Sequence, residues 1–249
     1  MSAALPTVPA LHSEWIKIRS LRGTFWALIA VFLATAGIQA LTAAAIGQAE
    51  AGSMGEDPLL AAFYGINFGQ IAAMSFGASA LAAEFHNGAL RTTLAAMPNR
   101  TRFYLSKVTM VGGLAFLVGQ VTGLATFLGG QAFMGPYAIG LGDPGSFRAV
   151  FGSGAYLTLI TLLAAGLTAV LRSAALVLSL LIPLFLMVSF VIGQAVGGAA
   201  QYLPDRAGQL VMRLEPQGTL GPWSGLGVLA LWTAVALLGG WLAVRRRDA

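Results

Sequence analysis

Residues 150–196 read VFGSGAYLTLITLLAAGLTAVLRSAALVLSLLIPLFLMVSFVIGQAV and contain a single charged residue, Arg172. A helix of about 20 apolar residues is long enough to cross the hydrocarbon layer of a bilayer. The stretch therefore predicts two membrane-spanning helices, 150–171 and 174–196, joined by a turn at Arg172. Pro183 lies inside the second helix and predicts a kink, because proline cannot donate the helical hydrogen bond.

The remainder of the chain is also apolar. Of its 249 residues, 57% are hydrophobic and 9% are charged, and the mean hydropathy is +0.79. A soluble domain carries about 25% charged residues, so this chain could not cover a water-exposed surface. Four more runs have membrane length: 24–46, 59–83, 105–130 and 225–244. We therefore predict an all-α integral membrane protein, in which one domain, 1–249, has six transmembrane helices.

The basic residues predict which ends of the spans face the cytoplasm. Successive spans alternate in direction, so the connecting segments form two sets. The set that includes both chain ends holds Lys17, Arg19, Arg22, Arg91, Arg100, Arg102, Lys107, Arg172, Arg245, Arg246 and Arg247. The other set holds Arg148, Arg206 and Arg213. The positive-inside rule therefore places both ends of the chain, and the loop 84–104, in the cytoplasm.

The distribution of these charges argues against nucleic acid as a partner. They form short clusters next to the spans, where basic residues fix topology and contact anionic lipid. No basic stripe with interleaved aromatic residues remains that could follow a phosphate backbone. The lipid bilayer is the expected partner of these clusters.

The segment before the first span predicts an amphipathic helix. In LHSEWIKIRSLRG, residues 11–23, Leu11, Trp15 and Ile18 recur at helical spacing and Lys17 lies roughly opposite. A basic amphipathic helix that leads into a span lies in the inner membrane interface, so we expect an interfacial helix at 10–22. The alternative is an extension of the first span.

The loop 84–104 predicts a short helix between two breaks. It reads EFHNGALRTTLAAMPNRTRFY, in which Asn-Gly marks a turn and Met-Pro marks a helix end. Leu90, Leu94 and Met97 form a narrow apolar stripe along the helix between them. So short a helix is marginal in water, because nucleation costs more than a few hydrogen bonds return. We expect the stripe to pack on the membrane surface or in a groove of a cytoplasmic partner.

Three segments resemble permease subunits of type-2 ABC exporters in high-GC Gram-positive bacteria: SEWIKIRSLRGTFWAL, AAEFHNGALRTTLAAMPNR and YLPDRAGQL. The resemblance runs along nearly the whole chain. It implies a multi-pass protein of the bacterial cytoplasmic membrane, whose short loop helix is a coupling helix that seats in the ATP-binding subunit. The residues it implies for coupling are Glu84, Phe85, Gly88, Leu90, Arg91, Thr92, Thr93 and Pro98, and the apolar stripe adds Leu94 and Met97. It also implies a connecting role for 10–22 and short re-entrant helices within 197–223.

The chain lacks an energy source of its own. It has no G-x-x-x-x-G-K-[ST] loop for nucleotide phosphates, and the predicted spans contain no acidic residue for a proton relay. We therefore expect no catalytic residue, metal or cofactor on this chain. ATP and magnesium would be bound by a separate ATPase subunit.

Polar residues inside the predicted spans are the candidates for a substrate pathway. They are Tyr64, Asn67, Gln70, Gln120, Tyr156, Thr158 and Gln194. Polar side chains in a span face a cavity or other helices. They could therefore line a pathway for an amphipathic substrate, or form hydrogen bonds between helices. The glycine pairs Gly65/Gly69 and Gly119/Gly123 have the G-x-x-x-G spacing that permits close helix crossing.

Two other functional classes were weighed. An intramembrane enzyme is disfavoured, because G-x-S-x-G and H-E-x-x-H are absent and both histidines precede or follow spans. Glu84 and His86 would point to different faces of a helix, so they do not form a metal pair. A membrane scaffold or anchor without transport is the remaining alternative. The predicted function is a permease subunit for a hydrophobic or amphipathic substrate, paired with a second copy or a relative, with a homodimer favoured.

Overall fold

The computed structural model describes residues 15–16, 18, 22–47, 57–86, 89–96, 98–188, 197–215 and 218–246. These residues are helical or lie in turns, and they include no strand. The helices are α1 (Arg22–Phe32), α2 (Ile38–Thr42), α3 (Pro58–Ala61), α4 (Ile66–Ala82), α5 (Ala89–Ala96), α6 (Arg100–Gln131), α7 (Ser146–Leu171), α8 (Ala174–Pro183), α9 (Pro204–Gln209) and α10 (Pro222–Arg246). The chain is therefore an all-α protein.

Five helical runs are long and apolar enough to cross a membrane. They are Arg22–Ala45, Ile66–Phe85, Arg100–Gln131, Ser146–Leu171 and Pro222–Arg246. Each overlaps one of the predicted spans, which indicates a multi-pass membrane protein. The third run begins at Arg100, inside the predicted loop 84–104, because Asn99 accepts a hydrogen bond from the Arg102 N–H at 3.0 Å and caps the helix there.

The first run is not a uniform α-helix. Two π-helical segments, Leu33–Gly37 and Ala43–Gly47, follow α1 and α2. In the first of them the Thr35 hydroxyl donates to the Val31 carbonyl at 2.6 Å. A hydroxyl that bonds back to the preceding turn competes with the backbone ladder, which fits the change in helical pitch at this point.

The second predicted span, 59–83, is broken near its start. After α3 the chain turns through 62–65 before α4 begins. Gln39, a buried residue of α2, donates to the Ala61 carbonyl at 3.1 Å and accepts from the Gly65 N–H at 3.0 Å. Backbone groups that leave the helical ladder in an apolar interior need such partners, so one amide side chain supports the break.

Helix α7 lies at the centre of the bundle and packs against α4, α6 and α10. Small residues bring these helices close together. A Cβ built at Gly77 of α4 would lie 2.1 Å from the Thr161 carbonyl oxygen, and one at Gly166 of α7 would lie 2.6 Å from the Ala236 carbonyl carbon. Gly119 of α6 meets the Gly154 backbone in the same way. Helix packing in membranes commonly uses small residues for such close approach.

Helix α8 begins after a tight turn at the end of α7. Arg172 has a φ of 56°, and the Ser173 hydroxyl accepts from the Leu176 N–H at 3.3 Å to cap α8. The α-helix ends at Pro183 and continues as a π-helical segment, Leu184–Val188. The predicted span 174–196 is thus described only as far as residue 188.

The segment that precedes α10 folds into short helices. The 3₁₀ turns Gly197–Tyr202 and Leu210–Met212 flank α9. Helix α9 and Leu210–Met212 pack against α7 and α10, whereas Gly197–Tyr202 packs against α9 and accepts a hydrogen bond from the Trp232 indole of α10. They account for part of the region 197–223. Most of the predicted interfacial helix at 10–22 lies outside the described residues.

Candidate functional site

The ends of five helices meet in one apolar cluster, here called the base cluster. It contains Leu81, Leu90, Phe103, Tyr104, Ala165, Ala169 and Val244, with Phe85, Leu94, Val108, Leu237 and Trp241 packed around it. These residues come from α4 and the turn after it, and from α5, α6, α7 and α10. The base cluster therefore joins the short helix α5, which lies against the Ala83–Phe85 turn, to the same apolar cluster as the ends of four longer helices.

The base cluster corrects the expected packing of the apolar stripe on α5. Leu90 is 5% exposed, and Leu94 packs against the same cluster. Leu90 therefore packs on the chain's own spans, a surface that the sequence analysis did not consider, and Leu94, which is partly buried, contacts the same surface. The opposite side of α5 is exposed at Arg91, Thr92 and Ala95.

A buried ion pair lies beside the base cluster. The Lys107 ammonium of α6 donates to Glu84 Oε1 at 2.7 Å, and the two side chains are 1% and 4% exposed. The Thr93 hydroxyl of α5 donates to Glu84 Oε2 at 3.3 Å. One carboxylate thus contacts two other elements. Because Glu84 belongs to the run Ile66–Phe85, the expectation that the spans contain no acidic residue is wrong at this end.

Direct hydrogen bonds join the start of α6 to the end of α10. The Arg100 guanidinium donates to the Val244 carbonyl at 3.1 Å, and the Tyr104 hydroxyl donates to the Leu237 carbonyl at 3.0 Å. The Trp241 indole N–H donates to the Thr101 hydroxyl at 3.1 Å. These contacts fix α6 and α10 to each other at the base cluster.

Of the remaining predicted coupling residues, the structure describes Phe85, which precedes α5 in the chain, and Pro98, which follows it. The Arg172 guanidinium lies 5.6 Å from the centre of the Phe85 ring, which links the end of α4 to the turn between α7 and α8. Pro98 is exposed just before α6. Gly88 and Met97 lie outside the described residues. His86 Nδ1 lies 2.8 Å from the Ala82 carbonyl oxygen, and the described residues contain no group of three His, Cys, Asp or Glu side chains that could hold a metal ion.

At the opposite end of the bundle, some of the candidate pathway residues are buried and hydrogen-bonded, and one is exposed. Tyr156 and Gln70 are buried, and the Tyr156 hydroxyl donates to Gln70 Oε1 at 2.5 Å. The Gln209 amide of α9 donates to Asn67 Oδ1 at 3.3 Å and to the Tyr156 hydroxyl at 3.4 Å. These four residues, here called the outer network, form hydrogen bonds between α4, α7 and α9. Tyr64, in contrast, is 51% exposed and its ring lies 6.2 Å from that of Phe68.

The remaining candidates bond to nearby backbone. Thr158 donates to the Gly154 carbonyl one turn earlier in its own helix, at 2.7 Å. Gln120 donates to the Phe151 carbonyl at 3.2 Å and so joins α6 to α7. Gln194 lies outside the described residues. Interhelical or local hydrogen bonds therefore use most of the polar groups that the sequence offered for a pathway.

An apolar groove lies between α1 and α6, away from both polar sites. Its volume is about 370 Å³, and its lining residues are Leu28, Ile29, Phe32, Leu117, Val118 and Val121. Ligand sites combine an apolar lining with a few polar groups that orient the ligand. This lining has no such group, so the groove offers contact with hydrocarbon and no chemical selectivity.

The sequence analysis missed Lys107, Gln39 and Gln209 as contributors to these sites. Lys107 had been counted among the charges that set topology, although it lies inside the predicted span 105–130. An ionisable residue inside a span marks a functional site by default, and that signal was available. Gln39 lies inside the predicted span 24–46 and could have been found by the same reasoning.

No protein-family model matches this chain, and no curated protein matches it with significance.

Proposed function

We propose that this chain is the permease subunit of an ATP-driven type-2 ABC exporter. The observation that carries the proposal is the position of α5. Its inner side is attached to α4, α6, α7 and α10 through the base cluster, while Arg91, Thr92 and Ala95 are exposed on its outer side. A force applied to the exposed side would reach four long helices at once, which is what a coupling helix requires.

The energy for transport comes from a separate subunit in this proposal. The chain has no phosphate-binding loop, and Glu84, the acidic residue within the five apolar runs, is paired with Lys107. A proton relay needs acidic or histidine side chains along the spans, and within the five runs Glu84 is the one such residue. ATP and magnesium would therefore bind to the partner ATPase, and this chain would contribute no catalytic residue.

The proposed topology has six spans with both chain ends in the bacterial cytoplasm. The α5 end of the bundle carries Arg22, Arg91, Arg100, Arg102, Lys107, Arg172, Arg245 and Arg246. The opposite end carries Asp57, Asp143, Asp205 and Glu215 together with three arginines. This bias supports placing α5 on the cytoplasmic side, with an interfacial helix at 10–22 leading into the first span.

The path of the chain after α7 supports the sixth span. Helix α8 starts next to Arg172, which contacts Phe85 at the α5 end. Gln209 of α9 contacts Asn67 at the opposite end of α4. We propose that 174–196 crosses the bundle between these two points, since this run has the length and apolarity of a span.

The translocated substrate is proposed to be hydrophobic or amphipathic, carried between two copies of this chain or one copy and a relative. Tyr64 and Phe68 remain exposed on α4, with Asn67 partly exposed beside them. These side chains are better placed to line a pathway than Gln70 and Tyr156, whose polar groups are already paired inside the bundle.

Co-purification tests this proposal. A candidate ATP-binding subunit, taken from a gene adjacent to that of this chain, would be expressed with it, and this chain would be purified in mild detergent. We expect the ATPase to bind the wild-type chain and to be lost with Ala95→Glu, which adds bulk and a negative charge to the exposed face of α5. Ala138→Glu, an equally exposed alanine at the opposite end, is the matched control and should bind normally.

The structure also explains why a charge at Leu90 is a poor test. Leu90 is buried in the base cluster, so Leu90→Asp with Leu94→Asp would disrupt the bundle itself. A complex that survives Ala95→Glu unchanged would contradict the coupling role of α5. If no ATPase binds the wild-type chain, the scaffold or anchor alternative becomes the better account.

A further inference from the structure

Three elements meet at the Glu84 carboxylate. Glu84 lies in the 3₁₀ turn that ends the second apolar run, Lys107 lies in the second turn of α6, and Thr93 lies on α5. The Lys107 ammonium is 2.7 Å from one carboxylate oxygen, and the Thr93 hydroxyl is 3.3 Å from the other. Since Glu84 is 3% exposed, its carboxylate cannot be the group that touches a cytoplasmic partner.

The inner face of α5 combines two kinds of contact. Leu90 and Leu94 pack in the base cluster, and Thr93 lies between them at helical spacing, so all three share one face. Apolar packing is not directional and would allow α5 to slide or rotate on the base cluster. A hydrogen bond to a charged group has a preferred distance and direction, so the Thr93 contact, which is long at 3.3 Å, favours one register over its neighbours.

A buried ion pair is a costly way to hold two helices together. The loss of hydration of both charges offsets much of their attraction, and well-packed apolar residues would often serve stability as well. The best-attested use of such a pair is to specify one arrangement among several. This pair lies between α5, which carries the exposed face, and the spans α4 and α6. The arrangement open to such specification is therefore the position of α5 on these two spans.

We propose that Glu84 and Lys107 are positioning residues that hold α5 in one register on α4 and α6, and that they act through Thr93. The pair thereby fixes the orientation of the exposed residues Arg91, Thr92 and Ala95 relative to the spans. Its consequence for transport rests on the proposed function, since a partner that pushes on a loosely held α5 would move that helix without moving the spans. The positioning itself is a property of this chain alone.

Mobility of α5 is the direct measurement. The chain has no cysteine, so Ala95→Cys gives a single site for a nitroxide spin label on the exposed face. Spectra would be recorded with the full chain in lipid nanodiscs, without any partner. Thr93→Val removes the hydroxyl that contacts Glu84. Thr92→Val is the matched control, because the Thr92 hydroxyl donates to the Ala89 carbonyl of its own helix at 2.9 Å.

We expect Thr93→Val to shift the spectrum toward a mobile component, Thr93→Ser to restore the immobile spectrum, and Thr92→Val to leave it unchanged. Glu84→Leu with Lys107→Leu removes both charges together and should produce the same mobile component, while the melting temperature of the bundle is retained. Spectra of Thr93→Val and of the double variant that match the parent would overturn the proposal. So would equal mobility in the Thr92 and Thr93 variants, because the effect would then reflect the helix in general.

A second readout separates this inference from the proposed function. In the complex with the ATPase, Thr93→Val should still bind the partner but lower the kcat of permease-stimulated ATP hydrolysis, with the KM for ATP unchanged. Thr93→Ser should restore kcat. If the wild-type chain binds no ATPase, the proposed function fails, while the spin-label spectra still decide whether Glu84 and Lys107 position α5.

Discussion

The outer network offers a quantitative test of whether Tyr156 and Gln70 hold helices together or line a pathway. Tyr156→Phe removes the hydroxyl that donates to Gln70 Oε1 and accepts from Gln209. Loss of one partner of a buried hydrogen bond costs about 1–3 kcal/mol, whereas measured interhelical bonds in membranes average about 0.6 kcal/mol. We therefore expect Tyr156→Phe to lower the free energy of unfolding by about 1–2 kcal/mol.

A double-mutant cycle isolates the contact itself. Gln70→Leu removes the other partner, and replacing both partners by apolar groups of similar shape is often nearly neutral. The double variant should therefore lose less stability than the sum of the two single variants, with a coupling energy of about 1 kcal/mol.

Reversible unfolding in mixed micelles would measure all three variants. Tyr64→Phe is the matched control, since Tyr64 is half-exposed, and we expect a change within about 0.5 kcal/mol. Strict additivity of Tyr156→Phe and Gln70→Leu would refute the interhelical interpretation. The two residues would then be better described as lining that happens to lie close together.

Two further expectations concern the contacts between the first run and α4. A Cβ at Gly69 would lie 1.7 Å from the Thr35 hydroxyl oxygen, so Gly69→Val should destabilise the bundle by about 1–3 kcal/mol in the same unfolding assay. Gly113→Val on α6, where nothing lies within 4 Å, should change stability little, and equal losses would contradict the close crossing. Gln39→Leu should speed hydrogen exchange at the Gly65 amide, because that N–H loses its acceptor; an unchanged exchange rate would show that the break needs no support from Gln39.

The sequence predicted the five long runs because membrane thickness constrains each helix independently of the rest of the fold. It did not predict the break at 62–65, whose support comes from Gln39, 26 residues before Gly65 in the chain. A local signal for the preceding helix was present, however. Asp57 followed by Pro58 is a typical helix start, and the Asp57 carboxylate does accept from the Leu59 N–H at 3.0 Å.

For α5, too, the features set by local sequence could be predicted, and the contacts with distant parts of the chain could not. The breaks at 87–88 and 97–98 predicted its length, because turn chemistry is local, and α5 spans Ala89–Ala96 between them. The base cluster in which Leu90 is buried also contains Leu81, Phe103 and Val244, which come from distant parts of the chain. The hydrophobic pattern of a sequence shows which face of a helix is apolar. It leaves open whether the protein itself or a partner covers that face.

The two ends of α4 are held by contacts of different strength. At one end Glu84 forms a buried ion pair with Lys107, and leaving either charge unpaired in the interior costs about 3–5 kcal/mol. At the other end Asn67 and Gln70 form neutral hydrogen bonds, which in membranes are worth about 0.6 kcal/mol each, close to thermal energy. A conformational change that moves α4 would therefore break the outer network first and leave α5 attached to α4 and α6. In the proposed transport cycle, the low-cost opening is at the outer end of the bundle, where the Gln209 amide holds α9 to the spans.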